Sequence, residues 1–234
     1  MIATATFPVS YAGLWDRACE LLAPLGLTET GTPPGRMEGV FRLSSGSWAI
    51  GPGEPALAEC RVARLSGPSA DAFVAVILPA DPARLPAFTA ELYATGGRPS
   101  LAYLDLPSPG LSRDLRDEVT DQTTVLSIRH APFLPRDETP PTWVMDDSPG
   151  GFLFTRTGER GSAARLSQAF EDYLNVWIDF AFLAAELAPT ARCTVDRLVD
   201  FKRRSSHHAS ARAMLAQHFG LDWTDRFVTE FLYR

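Results

Sequence analysis

The side chain best placed for proton chemistry in this 234-residue sequence is Glu91. From Phe88 to Thr95, the apolar residues Phe88, Ala90, Leu92 and Ala94 alternate with Thr89, Glu91 and Tyr93, the two-residue period of a strand. Gly96-Gly97 then supplies the positive φ angles of a tight hairpin, and Leu101 to Leu106 resumes as a second strand ending at Asp105 and Pro107. Glu91 therefore points away from the Phe88 face. If helices cover that second face too, the carboxyl is withdrawn from water and its charged form is disfavoured, which suits a proton donor near neutral pH. The alternative is a glutamate in solvent on an edge strand. Arg61 follows Glu59 by one strand period, so it either pairs with Glu59 or meets a substrate carboxylate. His207-His208 is a second titratable pair, read either as proton-transfer groups or as a solvated helix end.

The elements that hold these residues follow from periodicity. Ser10 to Leu25 reads as an amphipathic helix with Ser10 as a cap, ended by Pro24 and Gly26. Strands are expected over Met37–Leu43, Ala56–Leu65 and Ala72–Pro79, joining the Phe88 and Leu101 strands in an antiparallel meander, with Phe152–Thr157 as a further strand. After Pro109 the period becomes helical through Leu111, Leu115 and Val119, with Ser108 or Ser112 as cap. A polar loop spans Pro132–Gly151. The next helix, Gly161–Leu187, carries Leu166, Phe170, Tyr173, Trp177, Phe180 and Ala184 on one stripe, read as core. Helices continue to the end, with Asp222 as the cap of the last. Strands in the middle with helices before and after predict an α/β fold, a three-layer α/β/α sandwich with a central antiparallel β-sheet, as a single domain over 1–234.

Composition narrows the function. A net charge of −6 argues against a nucleic-acid partner, and Lys202-Arg203-Arg204 is the one tight basic cluster. No apolar run is long enough to span a bilayer, and MIATATFPVS lacks the pattern of a signal peptide, so a cytoplasmic, membrane-free protein is expected. Cys19, Cys60 and Cys193 are far apart, which indicates buried thiols and no metal site. His130 and His218 read as structural or surface groups. No GxGxxG, GK[ST] or GxSxG motif is present, so nicotinamide, nucleotide and serine-hydrolase readings lack their parts.

Three ordered stretches resemble the ferredoxin-dependent bilin reductases: LPAFTAELYATGGRPSLAYLDL; Pro141-Thr142-Trp143 with Ser148-Pro149 and Phe152 to Arg156; and ARAMLAQHFGLDWTDRFVTEFLYR. The resemblance implies electrons from reduced ferredoxin, no bound flavin or metal, and reduction of an open-chain tetrapyrrole such as biliverdin or dihydrobiliverdin by a monomer. Glu91 stands where that family has a proton-donating aspartate. Arg61 and Val74 stand where the phycocyanobilin-forming branch has an assisting glutamate and histidine. Ala209 lies at or next to a second aspartate position, and the adjoining His207 and His208 are the expected replacements as donor or as partners of the first acid. Ser100 and Arg156 match positions that hold pigment propionates, with Arg98 as a neighbour, and Arg203 and Arg204 are the expected dock for ferredoxin. Two other readings remain: a reductase of chlorophyll-derived open tetrapyrroles, and a non-catalytic bilin-binding protein.

Overall fold

The alternating segments pair into one sheet in the computed structural model, which describes residues 10–30, 36–52, 56–134, 142–155, 162–186, 195–208 and 210–234. The strands are β1 (Leu27–Glu29), β2 (Arg36–Glu38), β3 (Phe41–Ile50), β4 (Ala58–Ser66), β5 (Ala70–Pro79), β6 (Phe88–Thr95), β7 (Arg98–Asp105) and β8 (Leu153–Thr155). The order is β1-β3-β4-β5-β6-β7-β8, with β2 also paired to β3, and each pairing is antiparallel. The helices are α1 (Ala12–Leu22), α2 (Arg113–His130), α3 (Thr142–Asp147), α4 (Ser162–Glu186), α5 (Val195–His208), α6 (Ser210–Phe219) and α7 (Leu221–Arg226), followed by a π-helical turn at Phe227–Leu232.

Both faces of the sheet are covered, by different helices. Phe73, Ala75, Ile77, Phe88, Ala90 and Leu92 pack against α1, α2 and α4. On the other face Leu65, Val74, Val76 and Tyr93 pack against α5, α6 and the Phe227–Leu232 turn. The expected three-layer α/β/α sandwich with a central antiparallel sheet is the observed fold. The α4 stripe is core, as its spacing predicts: Leu166, Phe170, Tyr173, Trp177 and Ala184 are fully buried and Phe180 nearly so. Burying one such side chain is worth roughly 1.5–3 kcal/mol. The Trp177 indole N–H also donates to the Pro86 carbonyl at 2.9 Å, which fixes α4 to the residues just before β6.

Several local expectations need correction. Met37–Leu43 is extended but not one strand: Met37 and Glu38 end β2, Gly39 turns the chain at a positive φ of 58°, and Phe41 to Leu43 begin β3. β3 then continues through Ser44-Ser45-Gly46-Ser47, a loop-like composition held extended by β4, while the short β2 and β1 pair with β3 just before and just after it. The stretch Pro132–Gly151 contains α3. Gly220, at a φ of 82°, precedes α7, and Asp222 lies inside its first turn. Of the two serines proposed to cap α2, Ser112 accepts from the Leu115 N–H at 3.5 Å, whereas Ser108 donates to the Leu106 carbonyl at 3.0 Å. Ser10 lies one residue before the N-cap Tyr11 and accepts from the Ala12 N–H at 3.3 Å.

Candidate active site

β6 lies inside the sheet, between β5 and β7, and all its side chains except Thr95 are buried. Glu91 is 1% exposed on the face covered by the C-terminal helices, as the alternation predicts, and not on an edge. The Tyr93 hydroxyl, two residues along the same face, donates to its carboxylate at 3.0 Å. Val74 is its cross-strand neighbour on β5 and Tyr103 its neighbour on β7.

The pairing with Tyr103 depends on an irregularity. A regular two-residue hairpin would continue the Thr95–Arg98 and Ala94–Pro99 pairs to set Ala102 opposite Glu91. The register shifts by one at Ser100, which has no partner on β6, so Tyr93 pairs with Leu101 and Glu91 with Tyr103. That bulge moves Tyr103 and Asp105 onto the Glu91 face. Asp105, fully buried, accepts from the Tyr103 hydroxyl at 2.9 Å, the Leu106 N–H at 2.8 Å and the Ser148 hydroxyl at 3.1 Å. Two carboxyls, each joined to a tyrosine two residues away, thus lie on adjacent strands under the C-terminal helices. Burial, then the neighbouring carboxylates, hold the phenols well above the ordinary tyrosine range: Glu91 acts on Tyr93 and Tyr233, and chiefly Asp105 on Tyr103. The three phenols therefore remain neutral hydrogen-bond donors.

A cleft of about 1060 Å³ opens on the same sheet face, at the upper end of small-molecule sites. Arg61, Lys202 and Arg234 meet in it, beside the aromatic side chains of Trp223, Phe227 and Phe231. Arg61 is buried and bonded to the more exposed Glu59, so the pairing expected from their spacing is present. Its second nitrogen donates to the Arg234 backbone oxygen at 3.1 Å, and the Lys202 ammonium donates to the same oxygen at 2.7 Å. Burial lowers the pKa of both cations, and for Lys202 the charge of Arg61 adds to the effect. Arg61 lies in the row Arg61–Val76–Thr89, and Glu91 is one strand period beyond Thr89. Ideal strand spacings put about 12 Å between Arg61 and Glu91. Tyr233 and Arg234 lie between them, the first against the Glu91 cluster and the second on the cleft wall.

The other expected site residues are more scattered. Ser100 is half-buried at the bulge and Arg98 is exposed at the hairpin. His207 is exposed near the end of α5, where a solvated helix end would put it. Arg156, Ala209 and the side chain of His208 lie outside the described residues. Arg203 is exposed and bonded to Asp200 at 3.0 Å. Away from the site, buried His130 contacts Asp172 at 3.0 Å, and His218 stacks on Phe41 with ring centroids 3.9 Å apart. Cys60 is buried, with its thiol pushed up to about 12 by burial, and Cys19 is half-buried; both are free, and Cys193 is outside the described residues. Among the described residues, no cluster of His, Cys, Asp or Glu could hold a metal, and no helix is long and apolar enough to cross a membrane.

Tyr93, Tyr103, Asp105, Lys202 and Tyr233 were not singled out by sequence reasoning. Tyr93 was detectable, because it shares the Glu91 period. Tyr103 and Asp105 were not, because a regular hairpin assigns them to the opposite layer.

The structure is an antiparallel sheet between helical layers, with a ligand-sized cleft on the sheet face that also buries Glu91. The chain belongs to the ferredoxin-dependent bilin reductase family, whose model it matches over residues 51–234. It is 27% identical over 169 residues to a 15,16-dihydrobiliverdin:ferredoxin oxidoreductase of Gloeobacter violaceus, covering 71% of this chain and 69% of that one. It is 30% identical over 178 residues to a phycoerythrobilin:ferredoxin oxidoreductase of Prochlorococcus marinus, covering 72% and 68%. The fold is similar to the crystal structure of phytochromobilin synthase from tomato in complex with biliverdin, with a TM-score of 0.82 at 17% identity over 96% of this chain and 83% of the other.

Proposed function

We propose that the protein reduces an open-chain tetrapyrrole of the biliverdin or dihydrobiliverdin type, taking single electrons from reduced ferredoxin and passing protons to the pigment from Glu91. The observation that carries this reading is the burial of Glu91 on an internal strand, on the sheet face where the cleft opens; the resemblance of LPAFTAELYATGGRPSLAYLDL to the family's acid-bearing segment supports it. Reduction of a conjugated double bond takes up electrons and protons in equal number. A carboxyl shielded from water can supply the proton without exposing the radical intermediate to solvent.

The cleft would hold the pigment against the sheet, with Trp223, Phe227 and Phe231 along its apolar body. Arg61 and Lys202 would take a propionate in place of the Arg234 backbone oxygen they now share, which draws Arg234 and Tyr233 aside and opens the cleft toward Glu91. Ser100 and Arg156 would take the second propionate, in line with the family resemblance. Ferredoxin, an acidic protein, would dock near the exposed Arg203 and its neighbour Arg204; unchanged turnover after charge reversal at both arginines would remove that surface. For His207 and His208, replacement of both by Asn decides between the two readings of the pair: loss of a later protonation marks a donor, and full turnover marks a solvated helix end.

An anaerobic absorption time course with biliverdin, ferredoxin and a reducing system tests the whole proposal. Successive blue shifts with a transient radical band are expected. A stable red-shifted complex that never turns over would instead identify a bilin-binding protein or a reductase of a different tetrapyrrole.

A further inference from the structure

A second, much smaller cavity lies beside the buried acids. It offers about 10 Å³ to the centre of a water, the space of one molecule. An apolar cavity of that size would stay dry, but this one is lined by the hydroxyl-bearing residues Thr89, Tyr103, Ser148, Ser205 and Tyr233, with Val144 and Phe201 among its apolar walls. A water needs two to four polar partners to stay in such a site. Two of these residues connect the cavity to Glu91: Tyr103 is its direct cross-strand neighbour, and the charge of Glu91 acts on the phenols of both Tyr103 and Tyr233. Two others connect it outward, since Ser148 on the α3–β8 connection and Ser205 on α5 are only half-buried. Asp105 orients the group, accepting from both Tyr103 and Ser148.

We infer that this cavity holds one ordered water which, through the Tyr103 hydroxyl, returns a proton to Glu91 each time Glu91 has given one to the pigment. The inference rests on the donor role proposed for Glu91. In the step, the Tyr103 O–H turns from Asp105 to the Glu91 carboxylate and gives up its proton, while the Tyr103 oxygen takes one from the water. The water recovers its proton from solvent past Ser148 or Ser205. Each O–H bond broken is matched by one formed, and no electron moves. Tyr103 and Asp105 are positioning residues in this scheme, acting on the pigment only through Glu91. The relay also explains why a proton donor can sit where solvent does not reach it.

The test is ferredoxin-driven reduction of biliverdin, in H₂O and D₂O, by the intact protein and by its Tyr103→Phe, Ser205→Ala and Glu91→Gln variants. Tyr103→Phe keeps the ring, and Asp105 keeps its bonds from Leu106 and Ser148. It is expected to lower kcat about tenfold or more and to raise the solvent isotope effect, with biliverdin affinity unchanged. Ser205→Ala is expected to act in the same direction by a smaller factor. Wild-type kcat and isotope effect in Tyr103→Phe, alongside an inactive Glu91→Gln, would overturn the relay and leave the donor reading standing. An active Glu91→Gln would overturn both. If Tyr103→Phe does not fold, Ser205→Ala decides by the same two readouts.

Discussion

The two faces of the sheet have the same strands in common and little else. On the face under α1, α2 and α4, Phe170 packs edge-on against Phe73 and Phe88, with centroids 5.3 and 6.0 Å apart, and Trp177 and Tyr173 fill the space beside them. The charges on that face are held at its rim, where Arg64 pairs with Asp71 at 2.8 Å and Asp71 also accepts from the Tyr11 N–H at the start of α1. On the face under α5 to α7, acids and phenols occupy the middle of the layer, and a cleft of about 1060 Å³ opens on the same face. One layer is built for packing. The other combines an apolar cluster with polar groups that burial alone would disfavour, which is the arrangement the proposed proton chemistry calls for.

This contrast is open to direct tests. The largest effect is expected from Phe170→Ala on the packed face, which should lower unfolding free energy by about 3–5 kcal/mol in a denaturant titration. Any loss of reduction there should follow the fraction unfolded. Glu91→Gln should do the reverse: the amide can still accept from Tyr93, so the denaturation midpoint should stay near that of the parent, while the rate of biliverdin reduction falls by roughly 10²–10⁴. If Glu91→Gln instead unfolds the protein with no separate loss of rate, the division of labour between the faces is wrong. Arg61→Met should weaken biliverdin binding about tenfold, read from absorbance titrations, because one charge-assisted hydrogen bond to a carboxylate is lost. Because Glu59 is largely exposed, leaving it unpaired should cost little stability.

The smallest expected effect is on alkaline stability. The Cys60 thiol, raised from 9.0 to about 12, keeps its proton in the folded protein over a range in which the unfolded chain has lost it. Its contribution is complete below about pH 9 and falls away as pH rises toward about 12. The phenols of Tyr93, Tyr103 and Tyr233, raised by burial, act in the same sense from about pH 10 upward. Cys60→Ala should therefore flatten the first part of the alkaline decline and leave the tyrosine part. Thermal melts from pH 8 to 11 would measure both.

How far the sequence could be read follows from the same division. The packed face was largely legible: the α4 stripe and the period of β6 are local patterns, and apolar residues recur at the spacing of the element that buries them. So was the face on which Glu91 lies, because it depends only on alternation; its burial was one of two readings that alternation left open, and the family resemblance favoured it. Three things were not. The serine-rich part of β3 is extended by its neighbours and not by its own preference. Lys202 and Tyr233 reach the site through the path of the C-terminal helices, which no local spacing records. The partners of Glu91 on β7 depend on one unpaired residue, and a period-two argument carried across a hairpin inverts when a bulge intervenes.

The bulge at Ser100 has a consequence for how this site can vary. Because it changes the count of residues and not their kind, what matters between Gly97 and Leu101 is that the extra residue stays unpaired. A different side chain at position 100 can be accommodated, since Ser100 is only half-buried and has no partner on β6. Loss of Ser100 would close the bulge and keep the present partners, Leu101 opposite Tyr93 and Tyr103 opposite Glu91, whereas a slip that paired Ser100 with Tyr93 would turn Tyr103 and Asp105 over into the aromatic layer and bring Ala102 opposite Glu91. A one-residue slip of register would thus exchange the two environments without altering the residues that make them.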